Sequence, residues 1–321
     1  MMANMVTALN GALEQIMKEN EDVLLLGEDI GKDGGVFRVT EGLMDKFGER
    51  RVIDTPLAES GIIGASIGMA LSGLHPIPEI QFAGFMYLSF SQLINHASRY
   101  RSRTRSTFSV PMVVRTPVSG GVRTLEHHSD SPEEYYSHIG GLIVVEPSNP
   151  YDAKGLLIKA ARMNDPVIFL EPTKLYRLFK QEVPDEMYEV PIGKANVIRQ
   201  GDDLTVITYG TMTHIVNDVI KKKGLNADVI DLRTINPLDE KTIIDSAKKT
   251  GRVAIVHEAS LSFGVGAEIA ARIADKAIFE LKAPIVRVGS ASLPYPFPGY
   301  ENYYIPNEVK ISKALDRLMS S

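Results

Sequence analysis

A single acid set among small apolar residues is the first candidate for chemistry in this chain. Glu59 stands in DTPLAES (54–60) and leads into GIIGASIGMALSG (61–73). Pro56 suits a first helical position, where its missing N–H would be unpaired anyway. Thr55 can cap that end. The helix expected from there carries Gly61, Gly64, Gly68 and Gly73 among Ile62, Ile63, Ile67, Met69 and Leu71. An interior glycine costs a helix roughly 0.5–1 kcal/mol relative to alanine. A helix that keeps several leaves room for another backbone or a flat ligand. Two readings of Glu59 stay open on these residues alone. It is an acid favoured by a helix N-terminus, or a buried carboxyl able to exchange a proton with a ligand.

His127-His128 is the second candidate. A long glycine-bearing segment, 117–130, delivers the pair to Ser131-Pro132-Glu133-Glu134. That tetrad reads as a capping box with proline at the first helical position, and long loops are often functional. Adjacent side chains in an extended loop point to opposite sides, so a shared metal site is not expected. The plainer alternative is one exposed and one structural histidine. Gln81-Phe82-Ala83-Gly84-Phe85 follows an apolar run, and core packing is expected for at least one phenylalanine. Gly264-Val265-Gly266 fails the dinucleotide fingerprint, because Ile269 occupies the third glycine position. Arg99, Arg101, Arg103 and Arg105 are spaced by two, do not share one helix face, and read as solvated or subunit-facing.

These residues need elements to position them. Met5, Leu9, Leu13 and Ile16 recur at helical spacing. Apolar runs at 23–26, 78–82, 111–115, 142–145 and 167–170 read as strands. Helices are expected after Asp54, from Phe85 to about Tyr100, and from Asp152 to about Met163. Alternation of this kind implies a mostly parallel sheet covered on both faces. A second set follows, with strands at 204–207, 228–232, 253–256 and 285–288. Its helices are expected at 213–222, 239–249, 264–281 and 310–319. Between the sets, Pro184, Pro191, Gly201 and scattered charges show no period. The expectation is an α/β fold of two doubly wound domains, 1–180 and 204–321, joined by a linker at 181–203.

With 321 residues the chain exceeds the usual reach of one core. A net charge of -5 argues against non-specific nucleic-acid binding. The absence of cysteine excludes disulfide and thiolate chemistry and is compatible with the cytosol. No basic stretch followed by an apolar core opens the sequence. The apolar run 61–73 is too short for a bilayer, which takes about 20 residues. A soluble, cytoplasmic protein without membrane or nucleic-acid partners is expected.

Eight motifs then occur in order: GEDIG (27–31), GGVFR (34–38), DTPLAESGI (54–62), EIQF (79–82), HSDSPE (128–133), EPSNPYDAKGLL (146–157), DLRT (231–234) and KTGRVAIVHEA (249–259). Across nearly its whole length the chain resembles the beta subunit of the thiamine-diphosphate-dependent 2-oxo acid dehydrogenase (decarboxylating) component. That group includes pyruvate, branched-chain 2-oxo acid and acetoin types. The resemblance implies a transketolase-like pyrimidine-binding domain, then a transketolase C-terminal-like domain. It also implies a heterotetramer of two alpha and two beta subunits and a lipoyl acyltransferase core as partner. It makes Glu59 the activating glutamate and Phe85 the aromatic stacked on the aminopyrimidine. Leu57 and Gln81 become neighbours of that ring, Glu28 an acid near the same site, and His128 the active-site histidine.

The local chemistry agrees with that assignment. A carboxyl on the pyrimidine nitrogen para to the amino group favours the imino tautomer, which can take the proton from the thiazolium carbon. The cofactor is then an electron sink for loss of carbon dioxide from a 2-oxo acid. A histidine suits proton handling in transfer to a lipoyl group. Diphosphate and Mg²⁺ binding in this class uses Gly-Asp-Gly with downstream asparagines, and this chain offers only Gly201-Asp202-Asp203. It is expected to hold half the site, with Mg²⁺ on the alpha subunit and no metal ligands of its own.

Three departures from the family pattern stand out. Asp130 replaces a usual glutamine. In the potassium segment 160–165, Met163 stands where an acid is common and Asp165 where asparagine is common. Ser292 replaces an acid before Pro294-Tyr295-Pro296, which bears on acyltransferase contacts. The alternatives are half of another thiamine enzyme, of acetoin dehydrogenase or split transketolase type, or a non-catalytic binding protein of two α/β domains.

Overall fold

The structure is a computed structural model and describes residues 1–320. A seven-stranded sheet runs, edge to edge, Thr234–Asn236, Ile143–Val145, Val167–Pro172, Val113–Val118, His75–Glu79, Val23–Gly27 and Val52–Asp54. Its neighbours are parallel except the first pair, which is antiparallel. Strands buried on both faces lose alternation and read as apolar runs. Val23, Leu24, Leu25 and Leu26 are all buried in this way. A second sheet runs Val286–Ser290, Val253–Ser260, Leu204–Thr208, Ala227–Asp231 and Asn196–Arg199, with only the last pair antiparallel. The two α/β layers expected from the alternating pattern are both present.

Several details differ from the sequence reading. The strand expected at 78–82 runs earlier, at His75–Glu79. Pro76 and Pro78 donate no N–H, and pairing with Val113–Val118 is reduced to Glu79 opposite Arg115. The helix expected from Phe85 to Tyr100 breaks into short turns, the longest being Phe90–Asn95. Segment 181–203 carries two strands. Gln181–Glu182 pairs with Met2–Ala3, and Asn196–Arg199 closes one edge of the second sheet. Thr234–Asn236, from the C-terminal half, pairs with Ile143–Val145 in the larger sheet.

The two halves are therefore stitched by backbone as well as packed. One apolar cluster crosses between them, with Ile80, Met86 and Tyr136 on one side and Tyr209, Leu232 and Ile244 on the other. Each such side chain, fully buried, contributes about 1.5–3 kcal/mol. Within the larger sheet, buried Arg115 donates to both oxygens of Glu171, at 2.7 and 3.0 Å, and to Glu79 at 2.8 Å. The Tyr176 hydroxyl donates to Glu171 at 2.6 Å. A buried ion triad is tolerated only when its members satisfy one another in this way, and this one fixes the strand ends beneath the site.

Candidate active site

Four neighbouring parallel strands end on the same edge of the larger sheet, and ligands of open α/β sheets bind at such carboxyl ends. Glu28 follows Val23–Gly27. Leu57 and Glu59 follow Val52–Asp54. Gln81 and Phe85 follow His75–Glu79, and the His128 loop follows Val113–Val118. One sheet edge thus gathers every candidate residue from distant parts of the sequence.

Glu59 is the first residue of helix Glu59–Leu71. The start expected at Pro56, capped by Thr55, is not what the chain does. Ala58 occupies the cap position without a side-chain bond, and the Thr55 N–H is taken by the Gly27 carbonyl at 2.9 Å. That extra strand-like bond keeps the chain extended past Asp54 and delays the helix. Asp54 is occupied as well, accepting the Gly31 and Lys32 N–H groups at 2.6 and 3.2 Å. The delay carries Glu59 into the interior, where it is 7% exposed. The same helix leaves Gly61, Gly64, Ala65 and Gly68 exposed, an open face of small residues.

Glu28 is 3% exposed, and neither carboxylate oxygen meets a hydrogen-bond partner. Burial first, then the charges of Glu59 and Asp29, push its carboxyl up to about 7. Glu59 itself makes no side-chain hydrogen bond among the described residues. Two buried acids within electrostatic reach, with no donor between them, cost stability unless something binds there. Gln81 is held by a 2.9 Å bond from its Nε2 to Asp29 Oδ2.

The raised value of Glu28 sets a pH dependence. The folded chain keeps this proton between the unfolded value of about 4.3 and 7. Stability from this group is therefore greatest below that window and falls as pH climbs through it. Only a thin layer of protein covers the carboxyl, so water screens part of the effect. Glu28→Gln is expected to flatten the slope and to stabilise the isolated chain at pH 8 by roughly 1–2 kcal/mol. Urea unfolding of both forms at pH 5 and pH 8 measures it. An unchanged pH slope in the variant would contradict this account of Glu28.

His128 lies in a single turn, Glu126–His128, rather than the extended loop expected. Its ring packs against Phe82 at 4.1 Å and Phe85 at 5.5 Å, and its buried Nδ1 has no partner. His127 is exposed, with its ring 6.5 Å from Phe85. The turn can sit this low because residue 84 is glycine, and a Cβ there would run into the His127 carbonyl. The capping box expected at 131–134 does not form. Pro132 takes the cap position of helix Glu133–Ser137, and the Ser131 hydroxyl points to Ser119 at 3.4 Å. Glu133 is instead buried, accepting the Tyr209 hydroxyl at 2.6 Å from the second sheet.

Leu57 is the outlier, 81% exposed on the rim. Phe82 was missed as a site residue. It is buried, touches His128, Phe85 and Phe37, and was visible only as one of two nearby phenylalanines. In segment 160–165, Asp165 Oδ1 accepts from Arg101 Nε at 2.5 Å, so that oxygen already has a cationic partner. Ser292 shares a 2.8 Å hydroxyl bond with Ser260. No cluster of three His, Cys, Asp or Glu residues that could hold a metal occurs among the described residues. Buried Glu28, unpartnered and with Glu59 in electrostatic reach, on the sheet edge that also carries half-buried Phe85, fits an aminopyrimidine ring.

The comparisons with known proteins bear on this geometry. The family described as transketolase, pyrimidine binding domain, matches residues 1–178, and transketolase, C-terminal domain, matches residues 193–311. The pyruvate dehydrogenase E1 component subunit beta of Acholeplasma laidlawii is 49% identical over 317 residues, covering 98% of this chain and 97% of its own. That of Staphylococcus epidermidis is 50% identical over 310 residues, covering 96% and 95%. The chain belongs to the pyruvate dehydrogenase E1 beta-subunit family. Such E1 beta relatives, with transketolase-type domains, imply a thiamine diphosphate-dependent enzyme. A solved structure described as split gene transketolase, inactive beta4 tetramer, covers 98% of this chain and 97% of its own, at a TM-score of 0.79. At 20% identity it shares the fold alone. No helix among the described residues of this E1 beta relative is long and apolar enough to cross a membrane.

Proposed function

We propose that this chain is the beta half of a decarboxylating 2-oxo acid dehydrogenase E1 with pyruvate as substrate. It would be active only when an alpha subunit completes the cofactor site in a two-alpha, two-beta heterotetramer. The observation that carries this reading is buried Glu28, both of whose carboxylate oxygens lack a partner, within electrostatic reach of buried Glu59 on the sheet edge that also carries Phe85, in a chain whose nearest approach to Gly-Asp-Gly is Gly201-Asp202-Asp203. The exposed small-residue face and exposed Leu57 favour a second chain closing over the site. Pyruvate is chosen because relatives at 49–50% identity carry that name.

Thiamine diphosphate, when bound, supplies an electron sink for loss of carbon dioxide from a 2-oxo acid. The residues of this chain work around it. Glu59 shares a proton at the pyrimidine nitrogen. Phe85 offers that ring a flat wall, and Gln81, held by Asp29, lines its edge. Leu57 is covered on the alpha subunit's approach. His128, seated on Phe82, handles a proton during acyl transfer to a lipoyl group of the acyltransferase core. The alpha subunit holds the diphosphate and Mg²⁺.

A mixing assay tests the reading. The chain is combined with an alpha subunit and offered pyruvate, branched-chain 2-oxo acids or sugar phosphates. Carbon dioxide release from pyruvate is expected only in the mixture. Branched-chain acids should be roughly 10–200-fold poorer, the range one or two methylenes set in a shaped pocket. Preference for branched-chain acids would correct the substrate. Ketol transfer between sugar phosphates without decarboxylation would favour the split-transketolase reading instead.

A further inference from the structure

The loop that carries His128 is tied to itself at its base, where the Ser119 N–H donates to the Asp130 carbonyl at 2.8 Å, and in the 124–129 turn, where Thr124 and Leu125 bond Ser129, but not between Gly120 and Arg123. It leaves strand Val113–Val118 through Ser119, Gly120 and Gly121, and Val122, Arg123, Leu125 and Glu126 are exposed. Its backbone is left-handed at Ser119 (φ 69), Gly121 (φ 86) and Arg123 (φ 60). Serine and arginine adopt that conformation only where the surroundings over-determine it. For 120–123 the backbone bonds come from the other half of the molecule.

Glu258, near the end of strand Val253–Ser260, accepts the Gly120 N–H at 2.5 Å. Glu301, the first residue of helix Glu301–Tyr304, accepts the Gly121 N–H at 2.8 Å and the Arg123 N–H at 3.4 Å on one oxygen, Oε1. The Tyr295 hydroxyl donates to that same oxygen at 2.6 Å, and a Cβ on Gly120 would run into the Tyr295 ring. Both glutamates are buried. Turns of this kind aim successive N–H groups into a concavity that binds anions, and here carboxyl side chains 138 and 180 residues further along accept them. At its far end the loop rests on Gly84 and Phe82.

We infer that Glu258 and Glu301 are positioning residues for His128: the C-terminal domain grips the loop through these two carboxylates and so sets where the imidazole stands over Phe82 and Phe85. This rests on the acyl-transfer role proposed for His128. A bond from a backbone N–H to an ionised carboxyl is among the stronger ones available; burial pushes the Glu258 carboxyl up to about 7, so its bond to Gly120 gains that strength only as pH rises past that value. A histidine on a slack loop loses the alignment that transfer needs.

The test uses the reconstituted alpha–beta complex and two readouts. The first is hydrogen exchange of the 119–128 peptide, which is independent of activity. Glu301→Ala is expected to speed exchange there by about tenfold or more, through local opening, and to leave Leu204–Thr208 unchanged. Glu301→Gln, which keeps a side-chain oxygen acceptor, should restore most of the protection. The second is reductive acylation of a free lipoyl domain. Glu301→Ala should lower it by about tenfold, as displaced catalytic groups do, but by less than about twofold further in a His128→Ala background, because coupled residues are not additive. Unchanged loop exchange overturns the clamp whatever His128 does. Faster exchange with fully additive kinetic losses overturns positioning through His128. If His128→Ala alone leaves acylation intact, the role of His128 fails, and exchange still decides the clamp. Should Glu301→Ala not assemble, Glu258→Ala, which frees the Gly120 N–H, carries the same expectations.

Discussion

Glu59→Gln is expected to cut turnover of the assembled enzyme by about 100-fold or more, the range seen for removing a positioned proton-transfer group, while assembly is preserved. Glutamine matches the shape of Glu59 and can still sit at the start of helix Glu59–Leu71. It cannot give and take an acidic proton at a ring nitrogen. A hundredfold loss corresponds to about 2.7 kcal/mol of transition-state stabilisation. Folding should not suffer, because Glu59 makes no side-chain hydrogen bond among the described residues and faces the raised Glu28. Removing one of two crowded acids relieves repulsion. Activity with a dye acceptor and sizing of the complex are measured together. Near-normal decarboxylation by the variant would return Glu59 to a helix-end acid.

His128→Ala is expected to impair acyl transfer about tenfold or more relative to decarboxylation, a typical loss for a general acid or base. Its ring sits on a separate loop from Glu59, seated against Phe82 and Phe85 with Nδ1 buried. His127 is exposed on the same turn, and His127→Ala should change either rate by less than about threefold, as surface substitutions usually do. Each variant is assayed by dye-linked decarboxylation and by reductive acylation of a free lipoyl domain. Equal loss of both activities in His128→Ala would move the residue into the decarboxylation step. A severe His127→Ala defect beside a mild His128→Ala one would reverse the choice of histidine.

Much of the fold was legible because its central strands are continuous apolar runs. Val23–Gly27, Val167–Pro172 and Leu204–Thr208 needed only their composition. Three edge strands were not legible. Val52–Asp54, Thr234–Asn236 and Asn196–Arg199 are three or four residues long and mix polar with apolar side chains, and their existence depends on a neighbour far away in sequence. Local capping rules also yielded to tertiary contacts. Thr55 serves the strand edge instead of a helix, and Ser131 bonds Ser119 instead of capping, while Glu133 turns inward to Tyr209. In the site, Glu59 and His128 stood out because an acid among glycines and a histidine on a long loop are conspicuous. Glu258 and Glu301 did not, since a carboxylate gripping a loop more than a hundred residues away leaves no local pattern.

The central claim is that this chain supplies only the pyrimidine half of a shared cofactor site. Calorimetric titration of thiamine diphosphate with Mg²⁺ into the chain alone, the alpha subunit alone and the mixture tests it most directly. Saturable binding is predicted only in the mixture, abolished there by omitting Mg²⁺. Micromolar binding to this chain by itself, which has no cluster of three His, Cys, Asp or Glu that could hold a metal among its described residues, would contradict the account.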